Sequence, residues 1–105
     1  MGLSQREKGK RGEREWVDAL KARGYSAHRS QQFKGTKDSA DVLSGCPVGL
    51  WEVKRVQALS IHPVVQQARQ EADGALCAVA WRKDGGRWIV CMDAEEFFRV
   101  LKGIE

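Results

Sequence analysis

Residues 75–81 read Ala-Leu-Cys-Ala-Val-Ala-Trp, a run without a single charge. A strand with one face in water alternates apolar and polar side chains. A strand apolar at every position must be covered on both faces. A sheet built around this strand therefore needs helices packed on it, which makes the chain α/β. At 105 residues there is room for one hydrophobic core, so the expectation is a single domain over residues 1–105.

The other elements follow from periodicity and punctuation. Residues 8–23 predict a helix, with Trp16, Val17 and Leu20 as its stripe and Gly24 as its stop. Residues 25–29 predict a short strand and 30–38 a polar loop. Strands are expected over 40–44 and 50–55, joined by a turn over 45–49 that contains Pro47. Pro63 suits the first turn of a helix reaching 72, with Val64, Val65 and Ala68 facing inward. After the apolar strand, Asp84-Gly85-Gly86 predicts a hairpin turn and 87–92 the returning strand. Asp93 caps a last helix, Glu96 completes a capping-box-like pair, and Phe97, Val100, Leu101 and Ile104 form the face that covers the sheet. The order α-β-β-β-α-β-β-α, three consecutive strands, a crossover helix and a hairpin, implies a mixed central sheet flanked by helices.

Lys and Arg number 18 against 14 Asp and Glu, a net charge of +4. The surplus permits a phosphate-backbone partner. Lys8, Lys10, Arg11 and Arg14 cluster near the start, followed by Lys34, Lys37, Lys54 and Arg55. No apolar run approaches the ~20 residues that cross a bilayer, and the first residues are too polar for a secretory signal or anchor. The expectations are no membrane partner and a cytoplasmic location, in the host cell if the protein is phage-encoded. Cys46, Cys77 and Cys91 are isolated, with no CxxC spacing, and read as reduced small hydrophobes. His28 and His62 stand alone and read as surface residues or as satisfied structural ones.

The chemistry concentrates in 51–54, Trp-Glu-Val-Lys. Alternation along a strand puts Trp51 and Val53 on one face and Glu52 and Lys54 on the other. The turn over 45–49 folds Asp41 back beside Glu52. Two carboxylates can hold a hard divalent cation, typically Mg²⁺, that keeps open positions for water and phosphate. A neighbouring lysine can orient the attacking water or neutralise the pentavalent phosphorane. Taken alone, Glu-x-Lys reads as an ordinary cross-strand ion pair.

Glu13 adds weight to the first option. Stepping ~100° per residue from Trp16, the stripe Trp16, Val17, Leu20 centres near ~47° and Glu13 falls near ~60°. Glu15 and Asp18 fall more than ~100° away and are expected in solvent. A carboxylate aligned with the apolar stripe needs a cation or donors, unless it merely complements the helix dipole at the N-terminus.

Three pieces carry a family resemblance: Gly12-Glu13-Arg14-Glu15, Ser39-Ala40-Asp41-Val42 and Trp51-Glu52-Val53-Lys54-Arg55. In this order they resemble the PD-(D/E)XK nuclease superfamily, most of all the small Holliday junction resolvases of archaea and phages. Arg29-Ser30-Gln31-Gln32-Phe33 and Gln66-Gln67-Ala68 resemble the phage-type branch. Ala40 stands where the name-giving motif has proline. The resemblance implies a restriction-endonuclease-like fold and Mg²⁺-dependent phosphodiester hydrolysis, with Mn²⁺ as a workable substitute. It makes Asp41, Glu52 and the Val53 carbonyl metal ligands, Lys54 the catalytic lysine and Glu13 an auxiliary acid. Arg14 would touch DNA phosphate or support the site. The clustered charges of Lys8, Lys10, Arg11 and Arg14, with Lys34, Lys37 and Arg55, are separately expected to form a phosphate-tracking DNA-binding surface. Ser30, Gln31 and Gln32 would lie near the scissile strand.

The implied substrate is a four-way DNA junction, cut by a homodimer because two symmetric nicks need two sites. The alternatives are another PD-(D/E)XK nuclease of phage replication or repair and a catalytically inactive DNA-binding relative. Large apolar residues crowd the last quarter of the chain (Trp81, Trp88, Ile89, Phe97, Phe98, Val100, Leu101, Ile104). Phe98 lies ~100° off Phe97 and fits a partner surface better than the core.

Overall fold

The structure, a computed structural model, describes residues 5–30 and 40–104. Among these the order is α1 (Gln5–Lys21), β1 (Ala27–Arg29), β2 (Val42–Ser44), β3 (Leu50–Lys54), α2 (Ile61–Ala72), β4 (Cys77–Trp81), β5 (Ile89–Cys91) and α3 (Ala94–Ile104). The expected α-β-β-β-α-β-β-α order is met, with strands a residue or more shorter at their ends. The strands form one mixed sheet in sequential order. β1–β2, β2–β3 and β4–β5 are antiparallel, whereas α2 carries the chain across so that β3 and β4 run parallel.

Parity along β3 and β4 sorts the core into two layers. Trp51, Val53, Ala78 and Ala80 join Val42 beneath Trp16, Val17 and Leu20 of α1. Val79, Cys77 and Cys91 lie on the opposite face beneath Ala68, with Val64, Val65 and Ala72 of α2 at their rim. Val42 and Val79 are fully enclosed, one on each side of the sheet. The apolar strand is thus covered on both faces, as its composition requires. Trp16 meets Trp51 edge-on at 4.9 Å and Trp88 at 5.0 Å, so Trp88 is a core contact. The cysteines are free; Cys77 and Cys91 are buried. At the β4–β5 hairpin Gly85 takes φ 73°, which only a residue without a Cβ adopts readily.

α3 departs from its expected orientation. Asp93 Oδ1 does cap it, accepting the Glu95 N–H at 2.9 Å. Glu96, however, goes inward: it is 6% exposed and accepts the Cys77 N–H at 3.4 Å. It also pairs with Arg99 at 3.2 Å and Arg69 at 3.7 Å. This anchor turns the Glu96–Val100 line toward the sheet. Phe97 and Leu101, expected to cover it, stay exposed, as do Phe98, Ile89 and Val90. No helix among the described residues is long and apolar enough to cross a membrane.

Candidate active site

The β2–β3 register pairs Val42 with Trp51 and Leu43 with Leu50. Carried one residue further, it sets Asp41 opposite Glu52. The Asp41 N–H donates to the Trp51 carbonyl at 2.9 Å, and Asp41 Oδ2 accepts the Val53 N–H at 2.8 Å. Asp41 is therefore fixed by backbone on both sides of Glu52. Successive residues of a strand aim their N–H and C=O groups to opposite sides. Trp51 bonds toward β2, and the Lys54 carbonyl bonds toward β4 by accepting the Arg82 N–H at 3.0 Å. The Val53 carbonyl then points to the β2 side, past the end of that strand, where the Asp41 side chain lies.

Glu52 and Lys54 share the α2 face of β3, since Trp51 and Val53 are buried under α1. The Glu52 carboxyl is pushed up to about 9, first by burial, then by the Asp41 charge and by contact with Glu71. Lys54 makes no ion pair with any described residue. Glu52 and Glu71 line a cavity of about 110 Å³ with Leu50, Ala68, Ala72 and Cys77. Glu71 belongs to no motif, yet its signal is present in the sequence. It follows Val64 and Ala68 at i+7 and i+3, an acid on the buried stripe of α2 just as Glu13 is on that of α1.

Glu13 lies well inside α1, so its charge is not a helix-terminus effect. Its side chain is only 17% exposed and accepts from Arg29 Nε at 2.9 Å. Burial raises its pKa, the Arg29 bond opposes that rise, and the Asp41 charge adds to it. The next residue, Ser30, donates its N–H to the Asp41 carbonyl at 2.9 Å. Glu13 thus reaches the Asp41 segment through Arg29.

The expected basic surface is only partly free. Lys10, Arg11 and Arg14 are exposed on α1. Lys8 pairs with Asp84 at 3.5 Å. Arg55, expected on DNA phosphate, is tied down: its side chain is 11% exposed and bound to Glu15 at 2.9 Å and Asp84 at 3.2 Å. Glu15, expected in solvent, is the hub of this cluster, because β3 and β4 run parallel and deliver Arg55 and Arg82 together to its flank of α1. Gln31, Gln32, Lys34 and Lys37 lie outside the described residues.

No group of three or more His, Cys, Asp or Glu side chains among the described residues is arranged to hold a metal ion. The donors do fit a cation that brings its own waters. Asp41 and Glu52 are hard oxygen ligands crowded enough that one raises the other's proton affinity. Mg²⁺ takes one or two carboxylates and keeps several waters, and a cation there would relieve the crowding.

The fold is shared with a solved protein. Archaeoglobus fulgidus Hjc, a Holliday junction resolvase from an archaeal hyperthermophile, matches this structure with a TM-score of 0.61 and 25% sequence identity, over 81% of this chain and 72% of the resolvase. No protein-family model and no curated protein matches the chain. The resemblance carried by three short motifs therefore extends to the fold: the five-stranded mixed sheet with three helices is that of a resolvase-like PD-(D/E)XK nuclease.

Proposed function

We propose that the protein is a Mg²⁺-dependent DNA endonuclease that resolves four-way junctions as a homodimer. The observation that carries this reading is Asp41 opposite Glu52, with Lys54 on the same sheet face, in a fold shared with a Holliday junction resolvase. Asp41, Glu52 and the Val53 carbonyl would hold the cation, with Mn²⁺ able to substitute. A bound Mg²⁺ lowers the pKa of its water and stabilises charge on the phosphoryl oxygens. Lys54 orients the attacking water and neutralises the developing phosphorane. Glu13, through Arg29, steadies the Asp41 segment. Ser30, Gln31 and Gln32 adjoin the scissile strand.

DNA binding rests on Lys8, Lys10, Arg11 and Arg14 of α1, together with Lys34 and Lys37. Two opposed nicks need two sites, and a two-fold pairing supplies them. Ile89, Val90, Phe97, Phe98 and Leu101, all 40% exposed or more, support such a pairing through the C-terminal half.

The test incubates labelled four-way junction, duplex and flap DNA with and without Mg²⁺. Symmetric cleavage confined to the junction, and lost in Asp41→Asn, is the expected result. Cutting of all three substrates would point to another nuclease of this fold. Junction binding without any cleavage would leave a DNA-binding relative.

A further inference from the structure

Lys54 closes β3, where it pairs with Trp81 of β4, and a cluster on the opposite face of the sheet ties down the residue that follows it. Arg55 follows it, and alternation turns that side chain toward α1. Its Nε donates to Glu15 Oε1 at 2.9 Å and its Nη1 to the Arg82 carbonyl at 3.2 Å. The second oxygen of the same carboxylate, Glu15 Oε2, accepts from Arg82 Nη1 at 3.4 Å. Arg82 in turn donates its N–H to the Lys54 carbonyl at 3.0 Å. One carboxylate therefore grips the residue after Lys54 and the residue bonded to the Lys54 carbonyl. The arrangement depends on Gly12, where a Cβ would overlap Arg55 Cγ.

We propose that Glu15, acting through Arg55 and Arg82, is a positioning residue for Lys54. This rests on Lys54 being the catalytic lysine. Arg55 accordingly belongs to the positioning clip and not to the phosphate-binding surface. The clip anchors the end of β3 to α1, whose Glu13 steadies the Asp41 segment by the separate bond to Arg29. The two glutamates of Gly12-Glu13-Arg14-Glu15 thus hold the two sides of the site, one through each staple.

Single-turnover cleavage at saturating junction separates positioning from binding. Glu15→Gln and Arg55→Gln should each slow cleavage by roughly 10–100-fold, the penalty of a small misplacement, with junction affinity unchanged. The double variant should be no slower than the worse single one, since both cut the same clip. Salt dependence of binding should not change in Arg55→Gln. A slope shallower by about 0.9 would make Arg55 a phosphate contact and overturn the proposal. So would an unchanged cleavage rate or additive losses. Rates are taken well below each variant's melting temperature, and Arg55→Lys, which keeps the charge, should lose less than Arg55→Gln. If the wild-type protein cuts no DNA, the endonuclease reading fails, and the clip is judged on hydrogen exchange of the Arg82 amide. Glu15→Gln should speed that exchange about ten-fold while α2 amides stay unchanged. An unaltered Arg82 amide overturns the clip whatever the cleavage assay gives.

Discussion

Replacing Glu52 by Gln should destroy cleavage and yet make the metal-free protein more stable at pH 8. The Glu52 carboxyl, ordinarily near 4.5, is pushed up to about 9 by burial and by Asp41 and Glu71. The folded form therefore keeps a proton that the unfolded chain releases. The stabilisation from this proton is complete below about pH 4.5 and is lost as pH rises toward about 9. At pH 8 the medium lies about 3.5 pH units above the ordinary value of 4.5, and at ~1.36 kcal/mol per unit the ceiling on the cost is ~5 kcal/mol. Water reaching this partly exposed group screens much of it, which leaves an expected gain of about 1–2 kcal/mol for the neutral amide. In a domain of this size ~1 kcal/mol moves the melting temperature by roughly 4–8 °C. Thermal unfolding followed by circular dichroism in chelator should place the variant above wild type by at least about 4 °C at pH 8 and level with it at pH 5. Adding Mg²⁺ at pH 8 should raise wild type and narrow the gap. A variant less stable than wild type at pH 8, or one with the same gain at both pH values, refutes the carboxylate-crowding argument.

Other expectations follow from the same geometry. Gly12→Ala, normally a gain of ~0.5–1 kcal/mol inside a helix, should lower the melting temperature here because the methyl displaces Arg55 from Glu15; a rise would mean the clip contributes nothing to stability. Junction binding should weaken steeply with salt, and Lys10→Ala or Arg14→Ala should each make the slope shallower by about 0.9 on duplex arms. A slope indifferent to both would leave the exposed α1 charges a solubilising face. Phe98→Asp should convert a dimer to a monomer in light scattering at micromolar concentration, because Phe98 is 56% exposed with its ring against Phe97, itself exposed. A wild-type monomer that nicks both strands symmetrically would refute the dimeric mechanism.

Much of this protein is legible residue by residue because strand and helix periods act locally. Alternation in Trp51-Glu52-Val53-Lys54 is enough to send two large apolar side chains one way and the charged pair the other. The short turn after β2 is enough to return Asp41 to Glu52, and the helical wheel is enough to turn Glu13 inward. Each inference needs only one element or one tight turn, and the structure meets each of them.

What the tertiary structure alone decided involves partners far apart in sequence. Glu71 meets Glu52 only because the crossover lays α2 over β3 and β4. Glu15 is solvated on an isolated wheel, but parallel pairing of β3 with β4 brings Arg55 and Arg82 against it from 40 and 67 residues away. α3 carries a well-formed apolar stripe, yet a single buried acid, Glu96, bonded to the start of β4, outweighs it and sets the helix's rotation. Apolar attraction has no preferred direction, so a few degrees of helix rotation cost little. A buried carboxylate must find its donors or pay the full desolvation penalty. The local pattern therefore sets which residues can face a core, and the rare buried charges choose among the orientations it allows.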